Sequence, residues 1–382
     1  MSNEKQPAPE NGSIETYDAR SPVVLSGSDI SYFTGKMENY FRVREIPYEL
    51  RNMQFPRDDR VRKREVGVTQ MPTVELPDGR WMTDTTKMIQ WFEAQFPENG
   101  LLPADPLQAF LCFLLEDWAD EWWWRPAMHY RWYSDEGSRF AAWHLAETCL
   151  SEMLAPIALK WRYLRRRQRS GYTAGDGIGE ASVAAVEADY HRLLASLETI
   201  FRDRPFLLGQ RPTLADIGFA GPFFRHFALD PVPLEILRRQ APSVLEWVAR
   251  LWKTRIAECR GTLLDGIPED FGSLLDEIGH TYLPYLNANI AAVRAGQKRF
   301  DVNLGGAQFR GARYSRYRVW CLAELRLHYE RMPASAQAAG RALLERHGCW
   351  APLWQENDLP LLPDQEQGLP FRGDTKMVGF AE

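Results

Sequence analysis

No cysteine occurs before Cys112, and no two cysteines stand at CxxC spacing. The first absence excludes a dithiol redox site in the N-terminal part of the chain; the second leaves no zinc or disulfide framework, and no metal site is expected. Five cysteines in all, an odd number, fit a reducing compartment. No stretch approaches the ~18 apolar residues of a membrane span. The N-terminus (MSNEKQPAPENGSIETYDAR) has no apolar leader and reads as a disordered tail over 1–21. A soluble, cytoplasmic protein is therefore expected. Excess positive charge is also lacking. The formal net charge of −5 argues against nucleic acid as a partner, and the locally basic run Arg162 to Arg169 reads as a solvated helix face.

Aromatic side chains, by contrast, are plentiful, with 14 Trp, 14 Tyr and 19 Phe. They suit either an apolar, aromatic-lined cavity or a large helical core. A length of 382 residues predicts two or three domains.

Along the chain, Pro22 to Leu25 reads as a strand that runs into the turn Ser26–Asp29. Phe33, Met37, Tyr40 and Phe41 then recur at helical spacing. Ile46 to Leu50 reads as a second strand, and the charged Arg57 to Glu65 as a short helix. Asp78–Gly79 between Thr73–Leu76 and Trp81–Thr83 predicts a hairpin. Asp84 and Thr85 stand at a helix start ahead of Met88, Ile89 and Phe92. The order is thus βαβ, short helix, ββα. From Leu107 to Lys253 the pattern is helical, with segments near 107–132, 139–168, 181–201, 213–226 and 242–253, and a mobile Gly-rich loop at Ser170–Gly179. Beyond 265, helices are expected at 274–293, 317–331 and 334–347, with two strands around Gly305–Gly306 and an extended tail from Leu359.

Four motifs then carry a resemblance. Ser31 to Met37 (SYFTGKM) is followed nine residues later by Ile46 to Glu49 (IPYE); Met71–Pro72, Asp84–Thr85 and Thr213-x-x-Asp216 come after in order. Together they resemble glutathione S-transferases; the opening is also similar to metaxin-like relatives. The resemblance implies an α/β thioredoxin-like domain (22–100) followed by an all-α helical domain (107–265); beyond them the sequence pattern leaves a mostly helical C-terminal extension (266–382) of unassigned role. The resemblance also implies Ser31 as the catalytic residue, a cis-proline at Met71–Pro72, and Asp84–Thr85 gripping the γ-glutamyl end of glutathione, the co-substrate. A homodimer is a further implication. Two departures stand out: Tyr32 where many relatives have Pro, and the extension itself.

A serine hydroxyl donating to a sulfur at the positive end of a helix favours thiolate. Ser31 can do this, or it can be a plain helix cap; Ser26, Ser28 and Thr34 are rival hydroxyls. Gln54, Arg57, Arg60, Lys63 and Gln70 are unranked candidates for the glycyl carboxylate. The co-substrate pocket is expected around Trp123, Trp124, Arg125 and His129, with Glu121, Arg125 and His129 on one helix face unless Pro126 breaks it. A packing surface fits the same pattern. The function that follows is a glutathione-dependent transferase or lyase acting on an apolar or aromatic electrophile, a hydrophobic small molecule. The alternative is a non-catalytic adaptor that uses the extension for a partner.

Overall fold

The β-branched run after Pro22 becomes a central strand because its side chains alternate into two buried layers; Val23 and Leu25 have no exposed surface. In the computed structural model, which describes residues 21–356, 358–361 and 368–373, this strand is β1 (Val23–Gly27). It pairs in parallel with β2 (Tyr48–Asn52) and antiparallel with β3 (Thr73–Glu75), and β4 (Trp81–Thr83) completes the order β2–β1–β3–β4. α1 (Tyr32–Val43) makes the crossover, burying Met37, Tyr40 and Phe41 at the spacing of one helix face. α2 (Arg57–Glu65) buries only Arg62. The hairpin turn uses Gly79 at φ +85°, and α3 (Thr85–Gln95) follows from its cap Asp84. The expected tail over 1–21 lies almost wholly outside the described residues.

The helical part begins with α4 (Pro106–Glu121), capped by Asp105, whose carboxylate accepts the Gln108 N–H at 2.8 Å. The single helix expected over 107–132 is two: α4 stops at Glu121 and α5 (Trp124–Trp132) starts beyond a turn. Pro126 falls in the first turn of α5, where its missing N–H leaves no broken bond. The 139–168 segment also divides, into α6 (Asp135–Thr148) and α7 (Ile157–Gln168), with Pro156 at the head of the second. Ser170–Gly179 is not an open loop. It winds through π- and 3₁₀-helical turns with Gly171, Gly175 and Asp176 buried, and the Arg313 guanidinium donates to the Gly171 and Gly175 carbonyls. Then come α8 (Val183–Asp203), α9 (Leu214–Pro222), α10 (Pro231–Gln240) and α11 (Pro242–Lys253). Asp216 closes the capping box at the start of α9 and also accepts from Leu207 N–H and Trp247 Nε1, tying three segments together.

The extension is α12 (Gly272–Glu277), α13 (Leu283–Arg294), the hairpin β5 (Arg299–Leu304) and β6 (Ala307–Arg313), then α14 (Arg316–Glu330), α15 (Ala334–Arg346) and α16 (Trp350–Trp354). It shares one apolar core with the preceding helices: Leu275, Tyr282 and Leu286 belong to the same cluster as Phe110, Leu111 and Leu115. Of the tail expected from Leu359, residues 362–367 and 374–382 lie outside the described part. Residues 368–373 form a turn against β4 instead, with Pro370 O accepting the Thr83 N–H at 2.8 Å and Phe371 set edge-on to Trp91.

Candidate functional site

A cavity of about 450 Å³ lies between the sheet module and the helices, within the size of small-molecule sites. Ser31, Met71, Pro72, Asp84 and Thr85 all line it. The Met71–Pro72 bond is cis, and the Met71 main chain has no backbone hydrogen-bond partner among the described residues. Asp84 caps α3 by accepting the Lys87 N–H at 3.2 Å, in the left-handed backbone region at φ +73°.

Ser31 precedes α1 in extended backbone, and its carbonyl accepts the Gly35 N–H, but its hydroxyl makes no capping hydrogen bond. The neighbouring hydroxyls are otherwise engaged. Thr34 Oγ1 is buried and receives the Ser28 N–H, Ser28 Oγ faces the Ile30 N–H, and Tyr32 donates to the Ala119 carbonyl. Burial, with Asp120 and Glu121 nearby, holds the Tyr32 phenol far above its ordinary pKa, so it stays protonated. The loop that carries Ser31 is held by Arg131, whose guanidinium donates to Ile30 O at 2.5 Å and to both oxygens of Asp230 at 2.9 and 3.0 Å.

One side of the cavity is apolar, formed by Phe33, Phe55, Met128, Trp132, Leu150 and Leu164 among others. Trp124 joins it, stacked on Phe33 at 5.7 Å and held by its Nε1 on Asp176. The other residues expected there are placed elsewhere. Trp123 is buried edge-on against Trp118. Arg125 is buried over the Tyr285 ring at 3.9 Å, and His129 pairs with Glu187 at 2.9 Å while stacking on Tyr133. Burial lowers the His129 pKa despite the Glu187 bond, keeping the ring neutral. The cause is the turn after Glu121, which breaks the expected single face and turns those three side chains into the helix packing.

Among the candidates for the glycyl carboxylate, only Gln70 lines the cavity, with its Nε2 on Thr83 Oγ1 at 2.7 Å. Gln54 is taken up by Thr148 and Ser151, and Arg57 by Asp58 and Glu152. Arg62, Asp120, Cys149, Arg167 and Tyr317 are among the lining residues that escape sequence reasoning. Arg62 carried a signal, being the charge of α2 on its inward face. For Tyr317 there was none, since it comes from the extension. Burial pushes the Cys149 thiol above its ordinary range, so it is not a thiolate.

Residues 25–100 match the glutathione S-transferase N-terminal domain and residues 180–250 the glutathione S-transferase C-terminal domain. No curated protein matches the chain. Solved structures similar to it include three bacterial proteins. A glutathione S-transferase of Methylobacterium radiotolerans in complex with glutathione sulfonate is 18% identical, covers 65% of this chain and 100% of its own, and has a TM-score of 0.38. A glutathione S-transferase of Rhodospirillum rubrum is 19% identical, covers 65% and 97%, and scores 0.40. The β-etherase LigF of a Sphingobium strain is 18% identical, covers 60% and 95%, and scores 0.42. The two domain matches stand in the order in which sheet module and helices follow one another, so these two segments are similar to the N- and C-terminal domains of glutathione S-transferases.

Proposed function

We propose that the cavity binds glutathione as co-substrate and that Ser31 stabilises its thiolate for attack on an apolar or aromatic electrophile, which makes the protein a glutathione-dependent transferase or lyase. The observation that carries this reading is the Ser31 hydroxyl. It is free of any capping bond, stands at the positive end of a twelve-residue helix, and lines the same cavity as Met71, Pro72, Asp84 and Thr85. The peptide would pair as an added strand with the Met71 main chain, while Asp84 takes the ammonium and Thr85, with the first N–H groups of α3, takes the α-carboxylate. Gln70, the candidate for the glycyl carboxylate that lines the cavity, would serve that end. The electrophile would lie against Trp124, Phe33 and Met128. Trp123, Arg125 and His129 are not among the lining residues, so this reading assigns no general acid or base from that group.

The test is a glutathione titration followed by thiolate ultraviolet absorbance across pH, in the unaltered protein and in Ser31→Ala. A hydrogen bond to an ion contributes about 1.5–3 kcal/mol, so loss of the hydroxyl raises the bound thiol pKa by roughly one to two units. No binding at millimolar glutathione defeats the reading. Binding with an unchanged thiol pKa in Ser31→Ala removes Ser31 from the chemistry. Homodimerisation, implied by the family, is checked by sedimentation.

A further inference from the structure

We propose that the outer face of α7, with the turn before it, docks on the surface of an anionic lipid bilayer and brings the rim of the cavity to that surface. The proposal goes beyond the glutathione reading and does not depend on it.

From Met153 to Ser170 the chain carries Lys160, Arg162, Arg165, Arg166, Arg167 and Arg169 and neither Asp nor Glu. The rest of the chain is acidic, since the formal net charge is −5 with these cations counted. An anionic surface therefore attracts this segment and repels most of the molecule, which fixes the orientation of approach. Within α7, Leu159, Arg162, Tyr163 and Arg166 fall at i, i+3, i+4 and i+7, on one helix face, and all four are exposed. Trp161 and Leu164 turn the other way, into a small apolar core with Met128, Trp132 and Leu150.

Leu154 is wholly exposed, and with Tyr163 at 61% and Leu159 at 57% it makes up the three most exposed large apolar side chains among the described residues. A single exposed leucine is ordinary, but these stand beside unneutralised charge. Arg165 and Arg169 share Asp135, whereas Arg162 and Arg166 have no carboxylate partner among the described residues. Cations flanked by exposed leucine and tyrosine suit a bilayer interface, where headgroup phosphates meet the guanidinium groups and the apolar side chains enter the acyl boundary. A nucleic acid would match the cations and leave Leu154 and Leu159 in water. Met153 and Tyr163 line the cavity while remaining exposed, so they stand at its edge, and Leu164 of the same helix lines it from within. An apolar molecule dissolved in the bilayer would then reach the cavity without crossing water.

The experiment is co-sedimentation of the full chain with vesicles of phosphatidylcholine alone and of phosphatidylcholine with about one-third phosphatidylglycerol. The protein pellets with the anionic vesicles and not with the neutral ones, and the bound fraction falls as salt rises from about 0.1 to about 0.5 M. Two surface variants divide the contributions. Arg162→Glu with Arg166→Glu weakens binding about thirtyfold or more, by the loss of two cations near the headgroups. Leu154→Ser with Leu159→Ser weakens it about tenfold or more. Neither variant changes a residue that lines the cavity, so both keep the parent's melting temperature. Absence of pelleting with anionic vesicles, or equal pelleting with neutral ones, overturns the proposal whatever the variants do. Vesicle binding equal to the parent's in both folded variants overturns it as well. So does self-association of the parent that both variants abolish, without vesicle binding, which would make the face a contact between copies, with the groove of Glu136, Trp143 and Glu147 on α6 as its acidic counterpart.

Discussion

Around the start of α1, Ser28, Ser31, Tyr32 and Thr34 all carry hydroxyls, and their partners separate them. Sequence spacing could not do so, because a capping serine and a thiol-binding serine occupy the same backbone position. Tyr32 makes the contrast testable. Its phenol serves the Ala119 carbonyl and is fully buried, so Tyr32→Phe should leave the bound-thiol pKa unchanged while costing about 1 kcal/mol of stability, read from denaturant melts. Should Tyr32→Phe move the thiol pKa as far as Ser31→Ala, the assignment of the donor is wrong. Cys149 is the other informative residue. Buried and held protonated, it should react with alkylating reagents much more slowly than free glutathione at neutral pH, which mass spectrometry of timed samples would show.

At the scale of elements, α4 and α9 approach so closely that a Cβ on Gly218 would stand 2.6 Å from the Glu116 Cα. Helix propensity favours alanine over glycine, but here the backbone opposite cannot yield without moving the carboxylate that holds Lys36. Gly218→Ala should therefore destabilise the fold by about 1–3 kcal/mol, and a variant at least as stable as the parent would refute the close packing. α4 also carries a pH signature. Burial pushes Asp117 up to about 8, against its bond from the Tyr282 hydroxyl and with Glu121 and Glu116 adding to the rise. A carboxyl raised from about 3.9 in the unfolded chain contributes stability that is complete below that value and is lost as pH climbs to its folded value. Asp117→Asn should thus lose less stability than the parent between about pH 4 and 8; parallel melting-temperature profiles would contradict this. The helix divided at Trp122–Trp123 shows what periodicity missed. The apolar pattern runs on through the break, and only Pro126 hinted at a boundary; Trp124 reaches the cavity while Trp123 and Arg125 do not.

For the whole molecule, the extension is integral to the packing. Gln108 donates to the Leu264 and Gly266 carbonyls, Tyr282 to Asp117, and Arg318 to Glu121, while α12 and α13 share the apolar core of α4. Truncation after residue 265 should leave buried carboxylates unpaired and the α4 face bare, giving a chain that aggregates or melts without cooperativity in calorimetry. A soluble truncated protein with an unchanged melting temperature would show instead that the extension is an independent partner-binding element.

The sequence by itself determined the order of elements in the sheet module, the helix starts at Asp84 and Thr213, and the place of Ser31. Each depends on residues a few positions apart, where turn chemistry, caps and the two-residue or 3.6-residue periods act. It could not determine which hydroxyl was left free, which aromatic faced the cavity, or that Tyr317 would meet Asp84 across more than two hundred residues of chain. Those outcomes rest on close packing and on buried charges finding partners, and tertiary structure alone decides which groups remain without one.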